Sequence, residues 1–168
     1  MRGDTTDVGG IRHAWGALPG ERALILGSGG AAAAALLALE GRDLFIGARH
    51  PDSAESLRAR TGVEAHIVGW GVPVLDAVVV NATPLGMNGE HLPTVVLEQA
   101  SGLFDMVYGA GQTPAISHVA RSGKPVVDGL EMLLAQAALS FEIWTGVPAP
   151  ITAMRTAADA GHARRSNH

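Results

Sequence analysis

Gly27, Gly29 and Ala32 fit the pattern Gly-x-Gly-x-x-Gly/Ala, and they follow a short apolar run, Ala23 to Gly27. In a strand–turn–helix setting such residues grip a diphosphate. The first glycine permits a tight turn, and the second lets the backbone come close where a Cβ would collide. The third small residue lets the helix pack tightly on the sheet. The open amides of the first helical turn and the helix dipole then face the anion. The same residues would also suit a plain bend into an alanine-rich helix, so the elements around them decide between the two readings.

A second position bears on which dinucleotide. About 20 residues after such a turn, sites for NAD usually carry an Asp or Glu that bonds the ribose 2′-hydroxyl. Here Ala48 and Arg49 hold that place. No carboxylate is present there to repel a 2′-phosphate, and a guanidinium is available to pair with one. The residues therefore favour NADP over NAD, with a solvated surface arginine as the plainer alternative.

Further candidates fall after later strands. Asn81 and Thr83, with turn-forming Pro84 and Gly86, suit a backbone passing close to a ribose or nicotinamide. Met106 and Tyr108 follow another apolar run, and Gly129 and Met132 open a long helix. By residue type alone, either methionine reads more readily as core than as a cofactor contact. Gln136 is a lone amide among Leu, Ala and Phe, and a buried amide needs partners. It reads as a ligand or loop contact.

Other chemistries are disfavoured. The single lysine, Lys124, precedes a proline, so no phosphate loop of the G-x-x-x-x-G-K-[ST] type exists. Ser28 lacks the flanking glycine of a nucleophile elbow. Seven histidines are scattered without ligand spacing, which argues against a metal site, and the absence of cysteine excludes disulfides and thiolate ligands. A net charge of −4 gives no reason to expect nucleic acid or an anionic membrane. No apolar stretch has the length of a membrane span, and the first ten residues lack a signal-peptide core; a cytoplasmic protein is the expectation.

These residues need a scaffold. With 168 residues, 47% of them hydrophobic, one domain with a sizeable core is expected. Strands are predicted over 23–27, 43–48, 63–68, 76–82, 102–108 and 125–129. Helices are predicted over 30–40, 51–60, 113–121, 130–145 and 151–160, with a linking helical segment within 1–20 and a frayed tail at 161–168. Continuous apolar strands alternating with helices imply an α/β fold: a Rossmann-like, doubly wound parallel sheet of about six strands with helices on both faces.

Read together, GDTTDVGGI (3–11), LGSGGAA (26–32), NATPLGM (81–87), the tyrosine loop with GAGQTP (109–114) and DGLEMLLAQAALSFEIWTG (128–146) resemble the C-terminal half of shikimate dehydrogenase. The resemblance spans about Gly3 to Ala158. It implies an oxidoreductase that moves hydride between NADP and the C3 position of shikimate. It places the pyrophosphate on Gly27, Ser28, Gly29, Gly30 and Ala31, and the adenosine phosphate near Arg49 and His50. There the family's usual Asn-Arg-Thr reads Ala48-Arg49-His50, and Ser53 stands where a second basic residue is common, which implies weakened NADP selectivity. It puts nicotinamide contacts on Met106, Gly129 and Met132, substrate contacts on Asp7, Tyr108 and Gln136, and a catalytic role on Asp7 beside a lysine. From residue type alone, Asp7 reads instead as a helix N-terminal residue bonding backbone amides. That lysine belongs to an N-terminal substrate domain that these residues do not include, so the chain alone is expected to bind cofactor without turnover. A non-catalytic dinucleotide-binding or interaction module is the alternative. Self-association through the cleft face is a further expectation.

Overall fold

A computed structural model describes residues 6–108 and 112–165. In chain order the elements are α1 (Thr6–Trp15), β1 (Arg22–Leu26), α2 (Gly30–Ala38), β2 (Asp43–Ala48), α3 (Pro51–Thr61), β3 (His66–Gly69), β4 (Val78–Asn81), α4 (Thr94–Gln99), β5 (Gly102–Asp105), α5 (Pro114–Arg121), β6 (Val126–Val127), α6 (Gly129–Thr145) and α7 (Ile151–Arg165). The six strands form one sheet in the order β3-β2-β1-β4-β5-β6. Every neighbouring pair is parallel. This is the Rossmann-like, doubly wound arrangement, with its switch point between β1 and β4.

Continuous apolar strands make sense only when both sheet faces are covered, and side chains alternate between those faces. Ala23, Ile25, Val78, Val80 and Phe104 point into a core shared with α1, α2, α3 and α6. Leu24, Leu26, Val79 and Leu103 point into a second core with α4 and α5. Each fully buried Leu, Ile or Phe in these layers contributes about 1.5–3 kcal/mol. The small side chains Ala32 and Ala35, both fully buried, let α2 lie close on the sheet.

Several boundaries differ from the sequence reading. The run 76–82 enters the sheet only at Val78, because Asp76 sits at φ +57° in a turn. The run 102–108 leaves it after Asp105, whose carboxylate takes the Val107 amide and starts a loop. The third strand begins three residues later than expected, at His66. A short helix, α4, was not expected: Thr94–Gln99 begins with Thr-Val-Val, poor helix formers, yet Val96 and Leu97 are buried in the second core. At the C-terminus α7 runs to Arg165 instead of fraying after Ala160. Residues 166–168 of the expected tail, residues 109–111 of the tyrosine loop and the first five residues lie outside the described ones.

Candidate functional site

All of the candidate loops leave the carboxyl ends of the strands, the edge where open α/β sheets bind ligands. At the switch point, β1 turns into α2 through Gly27, whose φ is +120°. Its backbone is pinned on both sides. The Gly27 amide donates to Gly47 O at 2.9 Å, and a Cβ on Gly27 would lie 2.8 Å from Ala82 O. Gly27 is therefore demanded by the fold itself. Gly29 and Gly30 are different: a Cβ on either would meet nothing within 4 Å. Gly29 is the N-cap of α2 and supplies no side-chain cap, and the first turn of α2 holds no acidic residue. The amides of Gly30, Ala31 and Ala32 precede the first intrahelical bond, from the Ala33 amide to Gly29 O, and so have no acceptor within the helix. The turn therefore presents open space and uncapped donors, the arrangement that suits a diphosphate.

Next along the edge, β2 ends at Ala48 and β3 at Gly69, and these two residues are partners in the ladder. One residue beyond each, the Arg49 guanidinium lies over the Trp70 ring, 5.4 Å from its centroid. His50 caps α3 without a side-chain hydrogen bond, and Asp52 brings a carboxylate into that helix's first turn.

Beyond β4 and β5 lies a buried polar network. Asn81 and Asp105, both fully buried, are ladder partners. Asn81 Nδ2 donates to Asp105 Oδ1 and to Leu85 O, both at 2.9 Å. Its Oδ1 accepts from the Thr83 amide at 3.1 Å and the Thr83 hydroxyl at 2.6 Å. Asp105 also accepts the Val107 amide at 3.1 Å and the Thr113 hydroxyl at 2.5 Å, while Thr113 Oγ1 caps α5 by accepting the Ile116 amide. Burial pushes the Asp105 carboxyl up from its ordinary value, against the opposing pull of its Thr113, Val107 and Asn81 hydrogen bonds. Further out, the Asn88 backbone and side chain and the Gly86 amide draw the exposed Glu90 carboxyl down to about 2, fixing the end of the same loop.

On the far side of the sheet edge, α1 packs against α6 through two glycines. A Cβ on Gly9 would stand 2.6 Å from Leu139 Cδ1, and one on Gly10 the same distance from Gln136 Cγ. This contact brings Asp7 to Gln136, whose Nε2 donates to Asp7 Oδ1 at 2.6 Å. The start of α6 is similarly close to the loop after β5: a Cβ on Gly129 would lie 2.7 Å from Val107 O. Asp128 caps α6 by accepting the Leu130 and Glu131 amides.

A family model described as the shikimate 5′-dehydrogenase C-terminal domain matches residues 129–158. The shikimate dehydrogenase (NADP(+)) of Methanocella arvoryzae is 36% identical over 177 residues, an alignment covering 95% of this chain and 65% of that protein. The crystal structure of Mycobacterium tuberculosis shikimate dehydrogenase superposes with a TM-score of 0.76 at 34% identity, covering 95% of this chain and 64% of the other. This chain belongs to the shikimate dehydrogenase family. It corresponds to the C-terminal domain and spans about 65% of the length of the relatives it matches. A Thermus thermophilus shikimate 5-dehydrogenase, solved with NADP(H) and shikimate, superposes with a TM-score of 0.80 at 31% identity, over 92% of this chain and 62% of that one.

Of the residues that the resemblance to shikimate dehydrogenase singled out, the structure joins Asp7 and Gln136 directly and sets Gly27 to Ala31 at the switch point. Tyr108 is 56% exposed at the same edge, Met106 is half-buried, and Met132 is buried in the first core. The Asn81 side chain is hydrogen-bonded within the protein at both its nitrogen and its oxygen, so what this position would offer a ligand is the loop backbone that it shapes. Thr83 is likewise turned inward, onto Asn81 and the Leu85 amide. Gly129 is explained by close packing against Val107. Asp105, Thr113 and Trp70 were not singled out from the sequence, because each works through partners on other elements or loops. Among the described residues no group of His, Cys, Asp or Glu forms a metal cluster, and no helix is long and apolar enough to cross a membrane.

Proposed function

We infer that this chain binds NADP(H) and forms the cofactor half of an oxidoreductase acting on shikimate. The observation that carries this reading is the contrast within the glycine turn. Gly27 is required by the protein's own packing, whereas Gly29 and Gly30 leave open space in front of uncapped amides. A diphosphate on those amides would gain charge-assisted hydrogen bonds and the favourable end of the helix dipole. The relatives' names, which specify NADP, supply the cofactor's identity. Arg49 is the residue that would meet the 2′-phosphate.

The bound nicotinamide supplies the hydride acceptor or donor. The chain's residues orient the reactants. The loops after β4 and β5, fixed by the Asn81–Asp105 network, form the floor beneath the nicotinamide end. Gln136 holds one oxygen of Asp7 and leaves Oδ2 to support a base and the substrate hydroxyl. Oxidation of that hydroxyl requires a base, and Lys124 does not serve: its ammonium donates to Glu98 O at 2.7 Å, just before β6 at the amino end of the sheet. The resemblance to shikimate dehydrogenase assigns that base to a lysine of the N-terminal region, and on this reading the present residues bind cofactor without turnover by themselves.

The test is complementation. With NADP+ and shikimate, the chain alone should produce no NADPH absorbance. Adding the separately made N-terminal region of the Methanocella relative should produce it, and Asp7→Asn should lower the rate by roughly a hundredfold or more. Strong turnover by the chain alone, or none in the mixture when both parts are folded, would refute the reading.

A second expectation concerns Asp52, the one acidic residue in the first turn of α3, close in sequence to Arg49. Its charge would repel a 2′-phosphate across solvent. Asp52→Asn should tighten NADP+ binding roughly threefold and leave NAD+ unchanged, as calorimetry would read.

A further inference from the structure

Arg49 makes no hydrogen bond or ion pair with the described residues, and its sole recorded partner is the face of Trp70, 5.4 Å away. An exposed arginine normally samples many rotamers, and ordering it on a ligand costs entropy. Trp70 is itself held: it is partly buried against the second core, and it sits on a turn closed by the Val72 amide on Gly69 O and by Gly71 at φ +82°. The ladder pairs Ala48 with Gly69, so the two side chains follow directly on paired backbone positions. A guanidinium lying on an aromatic face keeps its in-plane N–H edge for a bidentate anion. The neighbouring positions offer no other permanent cation: His50 and Ser53 follow Arg49, and Asp52 opposes it.

We propose that Trp70 is a positioning residue for 2′-phosphate recognition: it holds Arg49 ready for the phosphate and so sets the preference between phosphorylated and unphosphorylated dinucleotides. The proposal rests on the NADP reading above. It explains how a single arginine without a second cation can discriminate.

The experiment is calorimetric titration of the full chain with 2′,5′-ADP and with 5′-ADP, which probe the adenosine end alone. Wild type should favour 2′,5′-ADP; failure of that preference would count against the NADP reading itself. Trp70→Ala and Trp70→Leu should each weaken 2′,5′-ADP by about three- to tenfold while leaving 5′-ADP within twofold. Trp70→Phe, which keeps an aromatic face, should recover most of the loss. Melting temperatures for each variant separate a folding defect from a binding one. If Trp70→Leu, folded, retains the wild-type ratio, or if both nucleotides weaken equally in every variant, Trp70 has only a packing role and the proposal is overturned.

Discussion

Gly27→Ala is expected to lower the melting temperature by roughly 10 °C and to abolish dinucleotide binding, whereas Gly29→Ala is expected to abolish binding alone. The first residue has φ +120°, which an alanine does not adopt without strain of about 1–3 kcal/mol. Its added Cβ would also press on Ala82 O at 2.8 Å, a backbone atom of the adjoining β4 loop that cannot swing aside. Together these effects amount to about 3 kcal/mol, and a domain of this size loses about 2–4 °C per kcal/mol. Gly29 sits at φ −85° with open space around it, so alanine fits there at a cost within about 1 kcal/mol as a poorer N-cap. A methyl group at that position would occupy the approach to the diphosphate. Thermal melts with and without NADP+ check both variants. Equal tolerance of binding at the two positions would mean that the turn is only a bend.

Asp105 should produce the second large effect. Asp105→Ala removes the acceptor shared by Asn81 Nδ2, the Val107 amide and the Thr113 hydroxyl. Each buried donor left unpaired costs about 1–3 kcal/mol, so a loss of about 4 kcal/mol is expected, with loosening of the loops after both β4 and β5. Asp105→Asn keeps an acceptor for the two N–H groups and should cost less than half as much. The pair also yields a pH signature. Burial raises the carboxyl's native pKa above its ordinary 3.8, so the folded state binds this proton more tightly than the unfolded state. That contribution to stability is fully present below 3.8 and is lost as pH rises through the raised native value. The melting temperature of wild type should therefore gain on that of Asp105→Asn as the pH is lowered from about 8 towards about 4. A gap that stays constant or narrows towards acid would contradict the assigned environment.

The sequence made the ladder of strands readable because each strand is a continuous apolar run. The second strand, Asp43–Ala48, appears with the bounds its residues suggested. Helix α6 begins one residue earlier than expected because Gly129 can press against Val107 while Asp128 caps the turn. Local composition failed where tertiary contacts decide. The β-branched run at Asp76 was cut short by a left-handed residue, and the six residues of α4 become helical by burying Val96 and Leu97. At the site, the glycine turn was legible from residue pattern, and family likeness singled out Asp7 and Gln136 separately, though not the hydrogen bond that joins them. The Asn81–Asp105 network, the Trp70–Arg49 stack and the Gly9–Gly10 contact with α6 were not legible, since each joins residues far apart in sequence. Asn81 shows the consequence: from sequence it is a polar residue on a loop, and only its partners show that its side chain fixes the loop backbone.

The most direct test of the account is calorimetric titration of the wild-type chain with NADP+ and NAD+ under identical salt. The account predicts saturable binding of NADP+, at least about tenfold tighter than NAD+, with Arg49→Ala bringing the two together. Absence of binding by either nucleotide at millimolar concentration, or a preference for NAD+, would contradict it.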